Sequence, residues 1–414
     1  MKTKIPRLVW HLLIIAWLAI GCQQFLYFSY GMMIPSIKAD LNLDYVAVGL
    51  IGSAAGIASL IFTIQVPFYV NLLGVKKAMP LTIGISAVGT LIFGLATNSP
   101  ALVIGRILIG MVANAIAIVI VTFKIGNVPL SRMLDVNGTE NFVQPIAQTL
   151  APLLITQVMA LLGGWQNVYL VMAAVLGVLT ICWLIAYQPK KLPEAEKNDQ
   201  PVEPVFDKSS FEALRTKTPW LLAIGWTGVV FTWIGMLFYW PSYAQTSLGM
   251  TASQTGIVLS CFPLFSALGS LIAPRITQAV GYEKPLISVW GFLLPLFFFG
   301  MVKSTSLPLL LVSSAAAGFG TYFFVPLIFS LLYKIDLKPK SVSLGTSMML
   351  TGAGLGSALG SAVIGLMITH FDGDMYKALA ISCLAPLVFG ILTLFIPERG
   401  RKWAEKQSTA APVK

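Results

Sequence analysis

The chain has 414 residues, of which 57% are apolar and only 10% charged, with a mean hydropathy of +0.82. A soluble domain averages roughly a quarter charged residues, so this is a membrane composition and excludes an ordinary soluble enzyme. The net charge of +11 does not indicate nucleic acid, because the bases sit in short clusters between apolar runs, as membrane topology requires.

Twelve apolar segments are predicted, at 8–35, 45–69, 78–97, 101–123, 141–162, 165–187, 220–246, 253–274, 285–302, 307–333, 342–369 and 375–396. Each is long enough to cross a hydrocarbon core of about 30 Å as a helix. The first follows Met1 to Lys4, and Leu18 to Cys22 loosely resembles a lipoprotein cleavage site. The apolar run continues to Pro35, too long for a signal-peptide core, so it reads as a span. The links at Thr97 to Pro100 and Gly163-Gly164 leave room only for tight reversals, so their flanking helices are antiparallel neighbours. Residues 188–219 are charged and proline-rich and read as a flexible linker.

The side of the membrane that holds both termini carries 23 Lys and Arg, counting 188–219 and the 70s, 124–140, 275–284 and 334–341 loops. The other side has only Lys38, Lys303 and Lys377. That asymmetry predicts cytoplasmic termini in a multi-pass protein of the plasma membrane, a bacterial inner membrane. The expected organisation is an all-α membrane protein: an N-terminal six-helix half at 1–187, a cytoplasmic linker at 188–219, a C-terminal six-helix half at 220–396 and a cytoplasmic tail at 397–414.

The halves are related. Pro67 to Lys77 reads P-F-Y-V-N-L-L-G-V-K-K, and Pro274 to Lys284, 207 residues later, reads P-R-I-T-Q-A-V-G-Y-E-K. The proline, an amide (Asn71, Gln278), the glycine (Gly74, Gly281) and the last lysine (Lys77, Lys284) recur in register. Gly49 with Gly256, Ser53 with Ser260, Gly138-Thr139 with Gly345-Thr346 and Tyr169 with Tyr376 keep the same offset. Such a string of coincidences marks a doubled architecture with pseudo-symmetric halves.

Few polar residues lie inside the spans. Arg106 is the single charge read as well inside one, and all sixteen acids fall in loops or tails, with Glu140 at the mouth of the fifth. A buried arginine is costly unless it meets water, a partner or solute. Gly110, Ala113, Asn114 and Ala117 share its helical face. Two readings stay open for Arg106: a tie between helices, or a grip on an anionic group. Asn141, Gln144 and Gln148 form one stripe, and Gln23, Tyr27 and Tyr30 another, with Gln24 beside them; each is read as facing inward, for helix contact or solute. Trp226, Trp233 and Trp240 recur every seven residues, and Trp233 is mid-span. Gly352, Gly356 and Gly360 read as a packing stripe. The four cysteines lie in apolar runs without C-x-x-C spacing, and the two histidines, His11 and His370, lie near span ends, so neither a metal nor a catalytic constellation is predicted, and no cofactor.

Twelve spans in two halves, with a signature loop after spans 2 and 8, resemble the major facilitator superfamily over essentially the whole chain. Of its loop signature G-x-x-x-D-R-x-G-R-R, Gly74, Lys76 and Lys77 fit, while Pro67, Asn71 and Leu72 replace the first glycine, the aspartate and the arginine. The resemblance implies a latch at this position, for which Asn71 offers a hydrogen bond to a helix N-terminus without the aspartate's charge. Arg106 and Gly110 match the R-x-x-x-G pattern of span 4, whereas Ala151-Pro152 departs from the motif of drug–proton antiporters. The resemblance implies a secondary transporter and a path lined by spans 1, 4, 7 and 10, which favours Gln23, Tyr27, Arg106, Trp233 and Tyr322. Its expected partners are a small, anionic or zwitterionic organic solute, a coupling ion and the lipid bilayer, without nucleic acid, for a monomer that is not an enzyme; efflux of amphipathic compounds is the alternative.

Overall fold

The computed structural model describes residues 5–188, 212–333 and 339–396. Among these residues twelve helices are long and apolar enough to span a membrane. They are α1 (Arg7–Leu41), α2 (Tyr45–Phe62), α3 (Leu72–Gly94), α4 (Ser99–Asn127), α5 (Phe142–Leu162), α6 (Trp165–Ala186), α7 (Lys217–Thr246), α8 (Ala252–Val280), α9 (Lys284–Lys303), α10 (Leu307–Leu332), α11 (Leu344–His370) and α12 (Met375–Leu394). No strand occurs among the described residues.

The hydropathy reading finds all twelve spans but not the ends of the helices. α5 is the last part of one helix, Leu130–Leu162, so most of the predicted 124–140 loop is helical. Polar residues end an apolar run without ending a helix, and Pro129 stands at the N-cap, where its missing N–H costs nothing. Helical structure also continues beyond α2, through a 3-10 turn at Thr63–Gln65 and a helix from Val66, until Gly74 breaks it with φ 70 and ψ 160. α8 ends at Gly281, with φ 81. The two glycines found 207 residues apart thus stop the second helix of each half, in backbone regions that few other residues enter cheaply. Residues 189–211 of the linker and the tail lie outside the described residues; Glu212–Arg215 is a helical turn and α7 begins at Lys217, three residues before the predicted start.

α4 is tightened in its middle. Between Ser99–Met111 and Ala115–Asn127, the N–H groups of Val112, Ala113 and Ala115 donate to carbonyls three residues back. Such 3-10 turns inside a helix often mark hinges. One turn earlier, Gly110 lies so close to the Ala55 carbonyl that a Cβ would collide with it, so the glycine of R-x-x-x-G sets the α2–α4 distance. Gly352, Gly356 and Gly360 face the backbone of α7 at Ala223, Thr227 and Phe231, as a packing stripe should.

The halves meet where α1 lies on α7, α2 on α11 and α5 on α8. These contacts gather toward the end that bears residues 42–44, 247–251 and 371–374. Gly31 abuts the Leu237 carbonyl. Ser361 Oγ donates to the Gly49 carbonyl at 3.0 Å, and Ser260 Oγ donates to the Thr149 carbonyl at 2.9 Å. Gly49 and Gly256, another pair at the 207-residue offset, sit against the opposite half at Ser361 and Pro152.

Candidate functional site

α1 organises the centre. Gln23, Tyr27 and Tyr30 lie on successive turns of one face, about 5 Å apart. Farthest toward the closed end, Tyr30 meets Arg106 of α4, whose Cζ is 3.7 Å from the centre of the Tyr30 ring. The rings of Phe93 (α3) and Phe238 (α7) lie 5.6 and 5.9 Å from the same atom. Tyr169 of α6 braces Phe93 at 4.3 Å between ring centres. Arg106 is 1% exposed, and its Nε and Nη2 are buried with no hydrogen-bond partner. The ring faces offer cation–π attraction of about 0.5–2 kcal/mol each, but they accept no N–H bond in the guanidinium plane.

Below this box lies a polar layer. Tyr27 Oη and Ser357 Oγ of α11 are 3.2 Å apart, a hydrogen bond between the halves. Gln23 donates to Ser86 Oγ of α3 at 2.9 Å. Gln148 of α5 donates to Gln24 Oε1 at 3.0 Å, so this member of the predicted amide stripe faces α1. Gln144, a turn away, is half-buried; the Asn141 side chain lies outside the described residues. Asn114 is exposed and donates to Ser59 Oγ and Thr63 Oγ1 of α2, at 3.1 and 3.2 Å. From the sequence, Arg106 and Asn114 share one helical face. The 3-10 turn between them leaves one in the aromatic box and the other on α2.

Trp233 is not an open cavity wall. It is 6% exposed and stacked on Phe262 of α8 at 3.5 Å and 7°, with Phe28 of α1 on its other flank. Tyr322 of α10 is half-buried. In the paired loops the Asn71 side chain lies outside the described residues, Lys77 and Gln278 are exposed, and Lys284 Nζ donates to the Leu394 carbonyl at 2.8 Å.

Arg106 is also not the only cation inside a span. Lys124 of α4, read from the sequence as a loop residue, is 5% exposed and pairs with Glu140 at 2.8 Å. Lys124 also donates to Asn137 Oδ1 at 2.7 Å, and Trp17 Nε1 of α1 donates to Glu140 at 3.2 Å. Hydropathy alone hid the pair, because Lys124 closes an apolar run and Glu140 precedes the next. The place of Phe238 beside Arg106 was equally hidden, since an aromatic residue in a span reads as lipid contact or packing. Among the described residues no group of three or more His, Cys, Asp or Glu could hold a metal.

The family model described as Major Facilitator Superfamily matches residues 16–294 and 227–414. A sialic acid transporter, NanX, of Escherichia coli K12 is 24% identical over 394 residues, covering 92% of this chain and 91% of that protein. A probable L-galactonate transporter of the same organism is 26% identical over 152 residues, but that match spans only 34% of this chain and 33% of the relative. Among solved structures, a bacterial homolog of the human lysosomal transporter Spinster, inward-facing and unoccupied, superposes with a TM-score of 0.75 at 14% identity, covering 94% of each chain. The nucleoside transporter NupG superposes with a TM-score of 0.76 at 16% identity, covering 94% of this chain and 98% of its own. At these identities the structures bear on the fold alone.

Proposed function

The chain belongs to the major facilitator superfamily, and we propose that it is a secondary transporter that moves a small hydroxylated carboxylate across the cytoplasmic membrane by alternating access. The observation that carries the anionic part is Arg106: a fully buried guanidinium with two unpartnered nitrogens and no carboxylate paired with it among the described residues. A carboxylate suits these unpartnered nitrogens once the seam admits it, because it accepts parallel N–H bonds from a guanidinium. The amides and hydroxyls of Gln23, Gln24, Gln148, Tyr27, Tyr322 and Ser357, one to two turns away, suit hydroxyl groups on the same solute. Two relatives named for sialic acid and L-galactonate, both sugar acids, support this class.

The seam closes at the end of residues 42–44, which the charge count assigns to the outside. The described state is therefore read as inward-facing, with both termini and the 188–219 linker in the cytoplasm. The bilayer, a coupling ion and a monomeric state belong to the same reading, and the polar layer has no role in it as an enzyme site. The test is a thermal-shift screen of purified protein against sugar acids and their neutral parent sugars, with Arg106→Lys beside the wild type, since a specific ligand stabilises by mass action. Stabilisation by the acids alone, lost in Arg106→Lys, is expected. Hits confined to lipophilic cations would overturn the anion reading.

A further inference from the structure

The box around Arg106 has walls of two kinds. Tyr30, Phe93 and the bracing Tyr169 come from α1, α3 and α6, all in the half that carries Arg106. Phe238 alone comes from the other half. Its ring meets Tyr30 edge-on at 5.0 Å and Tyr27 at 5.8 Å.

Phe238 also sits in the middle of the seam. The carbonyl of Leu237 meets Gly31, and the hydroxyl of Tyr239 donates to the carbonyl of Ser361 at 2.8 Å and lies 3.5 Å from that of Tyr45. Three consecutive residues of α7 thus touch α1, α2 and α11. Any rocking of one half against the other that opens this end carries Phe238 away from Arg106, while Tyr30 and Phe93 stay with it.

We propose that Phe238 is the movable wall of the Arg106 box: closing the seam screens the guanidinium from a bound carboxylate, and opening it restores the anion site. The proposal rests on the anion reading above and adds a gate to it. Solute binding and closure then compete for one side chain. The open-seam state holds the carboxylate tightly and the closed-seam state holds it weakly, which favours release toward the opposite end. Phe238 acts as a positioning residue through Arg106.

The prediction can be tested without a known solute. Phenylglyoxal labels accessible guanidinium groups, and peptide mass mapping reports Arg106 against the exposed Arg275 of the same molecule. In full-length detergent-purified protein, Arg106 should label slowly in the wild type. Phe238→Ala should raise its rate about tenfold relative to Arg275, and so should Gly31→Val, which props the seam open with Phe238 intact. Both variants are first checked for a single cooperative unfolding transition; Phe238→Leu replaces the alanine variant if that one fails. Unchanged Arg106 labelling in both variants, or fast labelling in the wild type, overturns the gate. D-gluconate added to Gly31→Val should slow Arg106 labelling while leaving Arg275 unaffected. Labelling raised in both variants but untouched by gluconate keeps the gate and removes the carboxylate from it.

Discussion

Lys124 and Glu140 form a buried ion pair, 2.8 Å long, that ties the C-terminal end of α4 to the helix leading into α5. Trp17 and Asn137 complete it with hydrogen bonds, so α1 is tied in as well. All of these residues belong to one half, so the pair holds that half together as it rocks. Breaking such a pair from one side strands a charge and costs about 3–5 kcal/mol, whereas replacing both partners by apolar residues is close to neutral. Glu140→Gln and Lys124→Met are therefore expected to lower the unfolding temperature and folded yield, and the double variant Lys124→Met/Glu140→Leu to recover most of the loss. Uptake per folded molecule should stay near wild type in Glu140→Gln. A normal folded yield with abolished proton-driven uptake would instead make Glu140 a coupling residue.

Arg106→Lys keeps the charge but loses the planar fork. Losing one charge-assisted hydrogen bond costs about 1.5–3 kcal/mol, so binding of a sugar acid should weaken roughly ten- to a hundredfold, and more in Arg106→Ala. Titration calorimetry on matched amounts of folded protein separates this from a helix tie, which would lower yield and leave affinity unchanged.

Gly110 and Gly31 are both crowded by a carbonyl, from different sources. Gly110 meets Ala55 within one half, so Gly110→Ala should destabilise every conformation and shift the melting curve down. Gly31 meets Leu237 of the other half, so Gly31→Ala should change the balance of conformations more than the stability. Hydrogen exchange at residues 42–44 and 247–251 would rise in the second variant and stay unchanged in the first.

Gly74 and Gly281 repeat in sequence but not in backbone region. Gly281 is left-handed helical at φ 81 and ψ −3, where asparagine is tolerated, while Gly74 at φ 70 and ψ 160 is in a region that is essentially glycine's alone. Gly281→Asn is expected to cost well under ~1 kcal/mol and Gly74→Asn about 1–3 kcal/mol, measurable as the difference between two denaturation midpoints.

A reporter enzyme fused after Lys197 should be active only if it functions in the cytoplasm, and one fused after Asp374 only if it functions outside. The reverse pattern would turn the closed seam into an inner gate.

The twelve spans and the doubling were legible because each rests on a local signal, either a long apolar run or residues at a fixed offset. Gln23, Tyr27 and Gln148 were legible too, since a polar group in an apolar run needs a partner, and each has one. What the chain hides is pairing at long range. Ser357 and Tyr27 are 330 residues apart, and no single segment says that they touch. Nor does composition separate Trp233, stacked in the packing, from Phe238, against the guanidinium. The shared face read for Arg106 and Asn114 assumed an uninterrupted helix, which the 3-10 turn between them interrupts, and a polar-looking loop concealed Lys124 for the opposite reason.

The solitary state of Arg106 has an electrical consequence. Lys124 and Glu140 cancel, so in the middle of the spans, among the described residues, Arg106 is left as a positive charge that a bound monoanion would neutralise. The charge that crosses the membrane in a full cycle is then that of the solute itself. Inward movement of a monoanion against an inside-negative voltage costs about 2.3 kcal/mol for every ~100 mV, a factor of roughly fifty in attainable concentration ratio. Accumulation therefore requires at least one cation to travel with the solute, and with Asp40 near the end of α1, Glu140 already paired and no acid in the middle of a span among the described residues, a proton would have to cross on the solute or as a third party. Outward movement would need no companion at all.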